Sequence, residues 1–303
     1  MTLVPPYLKK GDCIGIMCPA GYMESARTEA CISTLKKWGF RVFKGKTVGG
    51  KSRNYFSGND SMRLDELQQM LEDDRIKAIL FGRGGYGTSR ILDQIDFNRF
   101  RRKPKWLIGF SDISILHFHL QKKLGIASIH GPMAAAFLSE KGNSPATKSL
   151  LDTLTGKSAA YSCAPHPFNI TGKTTAEITG GNLSMLIHSL GTPSEPITKN
   201  KILFLEDVGE YLYHIDRMML QLERTGKLGQ LKGLIFGGFT ELKDTTRPFG
   251  LSVEEILRQH VAHLKIPISF GFPVGHGKEN VAIKCGMRYR FEVRSDMTVL
   301  VEA

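Results

Sequence analysis

In the first half of the chain, short apolar runs alternate with longer stretches in which apolar residues recur every three or four positions. The short runs are typical of buried strands and lie at residues 12–18, 41–43, 77–81, 105–110 and 127–130. The longer stretches predict amphipathic helices at residues 26–38, 60–71 and 88–95 and from Ser111 onward. Because strands alternate with helices, we expect an α/β domain with a mostly parallel sheet covered on both faces.

The middle of the chain, residues 141–176, shows neither pattern. It is rich in Ser, Thr, Pro, Gly and Lys, a composition that favours a connection between domains. The sequence therefore predicts an N-terminal domain over residues 1–140, a linker over 141–176 and a C-terminal domain over 177–303.

The second half resumes the alternation and then changes at its end. Strand-like runs lie at residues 201–205 and 231–239, and helical patterns lie at 182–189, 211–224 and 252–264. The last of these helices begins with a capping box, Ser252 followed three residues later by Glu255. Residues 281–300 alternate apolar and polar positions, which predicts antiparallel strands. The C-terminal domain is thus expected to be a second α/β domain.

Composition narrows the class of protein. Hydrophobic residues make up 41% of the 303 residues and charged residues 23%, as in globular proteins. Five cysteines lie scattered without paired spacing, which argues against a disulfide framework or a zinc site and favours a reducing compartment. No apolar run approaches the ~18 residues of a membrane span, and residues 1–12 do not resemble a secretory signal. We therefore expect a cytoplasmic protein without a membrane partner.

The formal net charge is +12, and most of the excess lies in the first 150 residues. The densest run, Arg99–Lys105, contains five basic residues in seven. We interpret it as a solvated loop that leads into a strand, because neither an aromatic ladder nor zinc-finger spacing accompanies it. Nucleic-acid binding stays an alternative that we do not favour. An electropositive half would also attract acidic small molecules.

A glycine-rich turn follows the strand at 77–81. Residues 82–87 read Gly-Arg-Gly-Gly-Tyr-Gly, which matches the G-x-G-x-x-G pattern of dinucleotide-binding turns in the strand-to-helix context that the pattern requires. However, the turn belongs to a later βα unit than the first, and Arg102 stands about 20 residues on, where a ribose-binding acid is expected. Dinucleotide binding is therefore an alternative only. The turn can still offer backbone N–H groups to an anion.

Three residues at strand ends have the chemistry of a hydrolytic triad. Ser111 follows the strand at 105–110, Glu206 ends the strand at 201–205, and His276 lies between two glycines after another apolar run. A serine nucleophile needs a base, and the base needs a partner that fixes its tautomer. The nucleophile-elbow pattern G-x-S-x-G is not matched, because Ile113 replaces the final glycine.

Two further acids lie close to Glu206 in the sequence. Asp207 is the next residue and Glu210 follows three positions later, so either could replace Glu206 as the acid. The residues alone leave this choice open.

Five segments together resemble the LD-carboxypeptidase family of serine peptidases, which also contains the microcin-immunity peptidases. They are GRGGYG (82–87), GFSDIS (109–114), GGNLSML (180–186), LFLEDVGEYLYHIDRMMLQL (203–222) and GFPVGHGKEN (271–280). Shorter stretches also fit, namely CPAG (18–21) and YFSGNDSMRLDEL (55–67). The resemblance runs in register from about residue 5 to residue 300.

The resemblance implies a Rossmann-like N-terminal domain, a C-terminal α/β domain and a cleft between them. It implies a triad of Ser111, Glu206 and His276, with the backbone N–H groups of Asp112 and Gly85 as the oxyanion hole. The implied activity is hydrolysis of the bond between an L-centre and a terminal D-amino acid, typically D-Ala of a murein tetrapeptide during cytoplasmic cell-wall recycling. Neither a metal nor an organic cofactor is implied, and members are commonly homodimers.

Two points remain open within the family. A carboxypeptidase must bind a free terminal carboxylate, and Arg83 is our candidate for this contact. The alternative is that Arg83 has a structural role and braces the glycine-rich turn. The immunity-type peptidases, which cleave a peptidyl-nucleotide antibiotic, are the alternative activity. They would be expected to offer an aromatic surface, whereas Trp38 and Trp106 are both placed like core residues.

Overall fold

The computed structural model describes residues 2–50, 52 and 54–303 of the chain. Its strands are β1 (Cys13–Met17), β2 (Arg41–Lys44), β3 (Ile76–Phe81), β4 (Trp106–Gly109), β5 (Ser128–His130), β6 (Ala160–Cys163), β7 (Gly172–Asn182), β8 (Ile202–Val208), β9 (Gly233–Thr240), β10 (Ile268–Ser269), β11 (Ile283–Cys285), β12 (Arg288–Val293) and β13 (Thr298–Glu302). Its α-helices are α1 (Glu29–Lys37), α2 (Asp60–Glu72), α3 (Thr88–Leu92), α4 (Asn98–Arg102), α5 (Ser114–His119), α6 (Pro145–Leu154), α7 (Leu183–Ser189), α8 (Leu212–Arg224) and α9 (Val253–Val261).

The N-terminal unit comprises the chain up to Lys157 together with Val281–Lys284. Its six-stranded sheet has the order β11-β5-β4-β3-β1-β2. The pairings β1/β2, β1/β3, β3/β4 and β4/β5 are all parallel, as predicted. The central strands are almost completely buried, because helices cover both faces of a parallel sheet of this kind.

The strand order of this sheet places its ligand edge. The chain moves outward from β1 to β2 and then returns to β3 on the other side of β1, so β1 and β3 form a topological switch point. Ligands of open α/β sheets bind beyond the carboxyl ends of the strands at such a point. The segment 18–21 follows β1, the glycine-rich turn 82–87 follows β3, and Ser111 follows β4. The predicted chemistry of this unit therefore lies at one edge of its sheet.

The C-terminal unit comprises Ser158–Asn280 and Cys285–Ala303. Its seven-stranded sheet has the order β10-β9-β8-β7-β12-β13-β6. The strands β7 to β10 are parallel, whereas β12 pairs antiparallel with β7 and β13, and β13 pairs antiparallel with β6. The α/β class, the mostly parallel N-terminal sheet and the antiparallel strands at the C-terminus are confirmed.

The segment that the sequence assigns to a linker carries regular structure. Helix α6, strand β6 and the start of β7 lie within residues 141–176, and the boundary between the units follows Lys157. Helix α6 buries Thr147, Ser149 and Thr153 beside its leucines. Because these buried positions are polar, the apolar periodicity by which we identified the other helices is weak here.

The basic run Arg99–Lys105 also differs from the predicted solvated loop. Part of it forms α4, and Arg99 and Lys103 both pair with Asp74. Lys105 is buried, and its ammonium donates hydrogen bonds to the carbonyls of Met70 and Asp73 at the end of α2. These contacts give the run a structural role, since cations stabilise a helix C-terminus.

None of the helices in the part of the chain that the structure describes combines the length and the apolar character that crossing a membrane requires.

Candidate active site

Ser111 occupies a strained turn at the carboxyl end of β4. Its φ is +64°, and within the described residues only Asn200 and Glu241 share a positive φ among the non-glycine residues. A left-handed conformation costs a residue with a Cβ about 1–2 kcal/mol. A 3-10 turn over Ser111–Ile113 and then α5 follow directly. The backbone therefore adopts the left-handed geometry of a nucleophile elbow without the final glycine of the sequence pattern.

The glycine-rich turn packs directly against this serine. A Cβ placed on Gly84 would lie 3.0 Å from Ser111 Cβ and 3.3 Å from the backbone nitrogen of Asp112. A residue with a Cβ at this position would have to displace Ser111 by a few tenths of an ångström. Gly85, the next residue, is exposed and has a φ of +103°. The N-terminal unit thus brings the candidate nucleophile and the turn that carries the candidate oxyanion donor side by side.

Arg83 braces this turn. Its guanidinium donates a hydrogen bond to the carbonyl of Tyr22 at 3.0 Å, and the neighbouring Gly84 carbonyl accepts one from the Gly21 nitrogen at 3.1 Å. The side chain is nevertheless exposed. The structure therefore shows the bracing role and leaves carboxylate binding by Arg83 a prediction.

His117 supports the strand that ends at Ser111, a role that the sequence does not indicate. It is fully buried in α5, with Nε2 bonded to the Gly109 carbonyl and Nδ1 to the Ser128 hydroxyl, both at 2.8 Å. Burial lowers the pKa of His117 to about 4, so the ring is neutral at pH 7. This role depends on the packing of α5 against β4 and β5, which brings Gly109 and Ser128 to the ring.

In the C-terminal unit, Glu206 and His276 form a buried pair. Glu206 lies on β8 with its side chain fully buried, and its Oε2 accepts hydrogen bonds from His276 Nδ1 at 2.5 Å and from the His276 backbone nitrogen at 3.2 Å. With Nδ1 as the donor, Nε2 carries the lone pair that a general base needs. The carboxylate thus fixes both the tautomer and the orientation of the ring.

The loop around His276 is held from several sides. Gly275 has a φ of +94°, and a Cβ placed on it would lie 2.4 Å from Glu206 Cβ, so no larger residue fits. The Gly275 nitrogen donates to Asn280 Oδ1 at 2.9 Å, and the Thr240 hydroxyl donates to the His276 carbonyl at 3.1 Å. The glycine before His276 is therefore required by close contact with the acid.

The two competing acids have other partners. Asp207 is buried and accepts hydrogen bonds from the Asn182 amide at 2.8 Å and from the Ser184 nitrogen at 2.9 Å. Burial, reinforced by the charge of Glu206, raises the pKa of Asp207 to about 7. Glu210 bonds to His214 Nδ1 at 2.7 Å. The geometry therefore assigns Glu206 as the partner of His276.

Glu206 also raises the pKa of His276 above its usual 6.5. Burial alone lowers this pKa, because it disfavours the charged ring, but the hydrogen bond and the charge of Glu206 outweigh it. The ring is therefore well suited to accept a proton near neutral pH.

This shift predicts the pH dependence of the reaction. We expect kcat/KM to rise with pH through an apparent pKa above 6.5, because only the neutral ring can act as the base. In Glu206→Gln the charge of Glu206 is lost while burial still lowers the pKa of His276, so this limb should move to lower pH, while kcat falls by about 10³–10⁴-fold. pH–rate profiles measure both effects. Glu210→Gln serves as the control, and an unmoved acid limb in Glu206→Gln would contradict the assignment.

Among the described residues, no group of three or more His, Cys, Asp or Glu side chains is arranged to hold a metal ion.

Comparison with known proteins identifies both halves of the chain. Family models of the LD-carboxypeptidase N-terminal domain and C-terminal domain match residues 14–131 and 175–291. A probable murein peptide carboxypeptidase of Bacillus subtilis (strain 168) is 34% identical over 302 residues, covering 99% of this chain and 94% of that protein. The predicted resemblance is confirmed, and the comparisons favour a peptidase over a dinucleotide-binding or nucleic-acid-binding protein.

Solved structures of related proteins have a similar fold over nearly the whole chain. A muramoyltetrapeptide carboxypeptidase from Oxalobacter formigenes has a TM-score of 0.86 at 29% identity, covering 96% of this chain and 98% of that chain. An MccF-like protein from Bacillus anthracis str. Ames has a TM-score of 0.84 at 25% identity, covering 99% of each chain.

Proposed function

Because the chain belongs to the LD-carboxypeptidase family, we propose that it is a serine carboxypeptidase that removes a terminal D-amino acid from an L-centre. Its proposed main substrate is a murein tetrapeptide, from which it releases the terminal D-Ala. The observation that carries the proposal is the hydrogen bond between the buried Glu206 and His276 Nδ1. A buried carboxylate that fixes an imidazole in the base tautomer is the arrangement that serine hydrolysis needs.

In the proposed reaction, His276 Nε2 takes the hydroxyl proton of Ser111 while Ser111 Oγ attacks the scissile carbonyl carbon. The resulting oxyanion accepts hydrogen bonds from the N–H groups of Asp112 and Gly85, each worth about 3 kcal/mol of barrier. The tetrahedral intermediate collapses when His276 donates its proton to the nitrogen of the leaving D-amino acid. Water, activated by the same ring, then releases the peptide from Ser111.

The strained turn at Ser111 supports the role of nucleophile. Unfavourable backbone conformations persist where the surrounding structure holds them, and they cluster at active sites. Packing of Gly84 against Ser111 fixes the serine beside the turn that bears Gly85. The serine and both proposed oxyanion donors are therefore held by one unit of the protein.

The test of the function is mass spectrometry of murein tripeptide, tetrapeptide and pentapeptide after incubation with the protein. We expect release of D-Ala from the tetrapeptide and no cleavage of the tripeptide or the pentapeptide. A tetrapeptide with L-Ala at its end is the stereochemical control and should stay intact. Cleavage of both stereoisomers, or of neither, would overturn the proposed activity.

Arg83 is proposed to bind the terminal carboxylate in addition to bracing the turn. A hydrogen bond to a charged group contributes about 1.5–3 kcal/mol, so Arg83→Ala should raise KM for the tetrapeptide roughly tenfold to a hundredfold. A tetrapeptide amidated at its C-terminus lacks the carboxylate and should be affected much less. Steady-state kinetics on both peptides measure this difference. An equal rise in KM for the two peptides would contradict carboxylate binding and would show that Arg83 only braces the turn through Tyr22.

Cleavage of a peptidyl-nucleotide antibiotic is the second candidate activity, which the likeness to the MccF-like structure favours. Against it, Trp106 is fully buried and stacks on Tyr7, and Trp38 is half-buried against Phe137. The tryptophans therefore offer little surface to a nucleobase. Incubation with a peptidyl nucleotide in the same mass-spectrometric assay tests this activity.

We also propose that the protein acts in the cytoplasm as a homodimer during peptidoglycan recycling. All five cysteines are free thiols, which suits a reducing compartment.

The proposed homodimer follows from the family resemblance alone. Sedimentation equilibrium of the purified protein tests it.

A further inference from the structure

The peptide bond between Gly87 and Thr88, which closes the glycine-rich turn, is held at both of its polar ends. Its carbonyl oxygen accepts a hydrogen bond from Arg63 Nη1 at 3.0 Å. Its N–H donates one to Asp112 Oδ2 at 2.8 Å. A cation thus binds the negative end of this peptide dipole and a carboxylate binds the positive end. Charge-assisted hydrogen bonds of this kind are roughly twice as strong as neutral ones.

Arg63 joins three segments behind the turn. Its side chain on α2 is completely buried. Besides the Gly87 carbonyl, its guanidinium donates to the Pro19 carbonyl and to Asp60, and it lies 4.8 Å from the centre of the Phe56 ring. A buried guanidinium is costly unless it is paired and hydrogen-bonded in this way. The position of the turn is therefore fixed relative to α2 and to the loop after β1.

Asp112 joins the turn to the serine. Its carboxylate is 1% exposed, and its own backbone N–H is one of the two proposed oxyanion donors. Because Asp112 is adjacent to Ser111, its bond to the Thr88 nitrogen sets the glycine-rich turn in register with the nucleophile. Burial raises the pKa of Asp112, while the charge of Arg63 and the bonds from Thr88 and Gly87 act in the opposite direction.

We propose that Arg63 and the Asp112 side chain are positioning residues that clamp the Gly87–Thr88 peptide and thereby hold the oxyanion hole against Ser111. The proposal rests on the proposed function and adds two side chains to it. Glycine is conformationally permissive, so a turn with four glycines in six residues needs outside contacts to keep one geometry. Oxyanion donors are effective only when they are preorganised.

The kinetic test compares Arg63→Ala and Asp112→Ala with the wild type on the tetrapeptide. A misplacement of about 1 Å can cost about a hundredfold in rate. We therefore expect kcat to fall by about a hundredfold in each variant with KM nearly unchanged. Free guanidinium should restore part of the kcat of Arg63→Ala, whereas Arg63→Lys should not recover it, since an ammonium lacks the planar fork. Both residues hold the same Gly87–Thr88 peptide bond, so their effects should not add. The double variant should therefore have about the same kcat as the slower of the two single variants.

Arg90 provides a matched control. It pairs with the same Asp60 and lies 5.6 Å from the centre of the same Phe56 ring, but its side chain is 46% exposed. Its backbone N–H donates to the Gly87 carbonyl at 3.2 Å, a bond that Arg90→Ala retains, so the substitution removes the side chain without removing that contact. Arg90→Ala should keep kcat within about twofold, since exposed ion pairs contribute little.

Hydrogen exchange tests the clamp independently of activity. The Thr88 amide should exchange much faster in Asp112→Ala than in the wild type, while Arg90→Ala should leave it protected. Near-normal kcat in Arg63→Ala and Asp112→Ala, or unchanged Thr88 exchange in Asp112→Ala, would overturn the proposal. If Arg63→Ala fails to fold, Asp112→Ala decides it by the same two measurements. A wild type that exchanges as expected but does not cleave the tetrapeptide would instead refute the proposed function.

Discussion

Ser111→Ala is expected to lower kcat for the murein tetrapeptide by about 10⁵–10⁶-fold while leaving the fold intact. The reason is that the hydroxyl forms the covalent bond to the substrate, whereas the oxyanion donors are backbone groups that the substitution retains. KM should change little, because Ser111 contributes little to ground-state binding. Stopped assays with mass-spectrometric detection of D-Ala measure the residual rate.

The control for this prediction is Ser89→Ala, a half-buried serine in α3. It should keep wild-type turnover and wild-type thermal stability. The Ser111 variant should unfold at about the wild-type temperature, because alanine keeps the Cβ and therefore the same backbone strain at a φ of +64°. Near-normal turnover by Ser111→Ala would show that Ser111 is not the nucleophile.

His276→Ala is expected to have the second largest effect, a loss of about 10⁵–10⁶-fold in kcat. Without the imidazole, no group takes the proton from Ser111 or returns it to the leaving amine. The same variant leaves Glu206 buried without the ring that it bonds. We therefore also expect a loss of stability, since a buried polar group deprived of its partner costs about 1–3 kcal/mol or more.

His276→Gln separates the two effects. A glutamine amide can still donate to Glu206 but cannot act as a base at neutral pH, so stability should recover and turnover should not. Thermal melting and kinetics on both variants distinguish the outcomes. Recovery of turnover in His276→Gln would show that the ring serves only the structure.

The fold was largely predictable because its strands are nearly continuous apolar runs. The strands β3, β4 and β8 are buried along almost their whole length, so their sequences carry an unmistakable hydrophobic signal. Helix α6 was missed for the opposite reason. Its buried face includes Ser149, whose hydroxyl donates to the Ala146 carbonyl and accepts from the Ala282 nitrogen. Polar side chains satisfied by distant parts of the chain cannot be identified by apolar periodicity.

The candidate site was predictable only in part. Strand ends indicated Ser111, Glu206 and His276, because ligands of α/β sheets bind at the carboxyl ends of the parallel strands. The strained backbone of Ser111 was not indicated, since the sequence lacks the glycine of the usual pattern. Arg63 was also missed. A charged residue on a helix is normally assigned to the solvent face, and its burial depends on carbonyls contributed by two other loops.

The central claim is that Ser111 reacts as a nucleophile activated by His276 and Glu206. A fluorophosphonate that phosphonylates activated serines tests it most directly, followed by proteolysis and peptide mapping of the adduct. We predict a single adduct on Ser111 in the wild type, formation of that adduct slowed by several orders of magnitude in His276→Ala, and an intermediate rate in Glu206→Gln. An adduct on another residue, or equal labelling rates in the wild type and His276→Ala, would contradict the account.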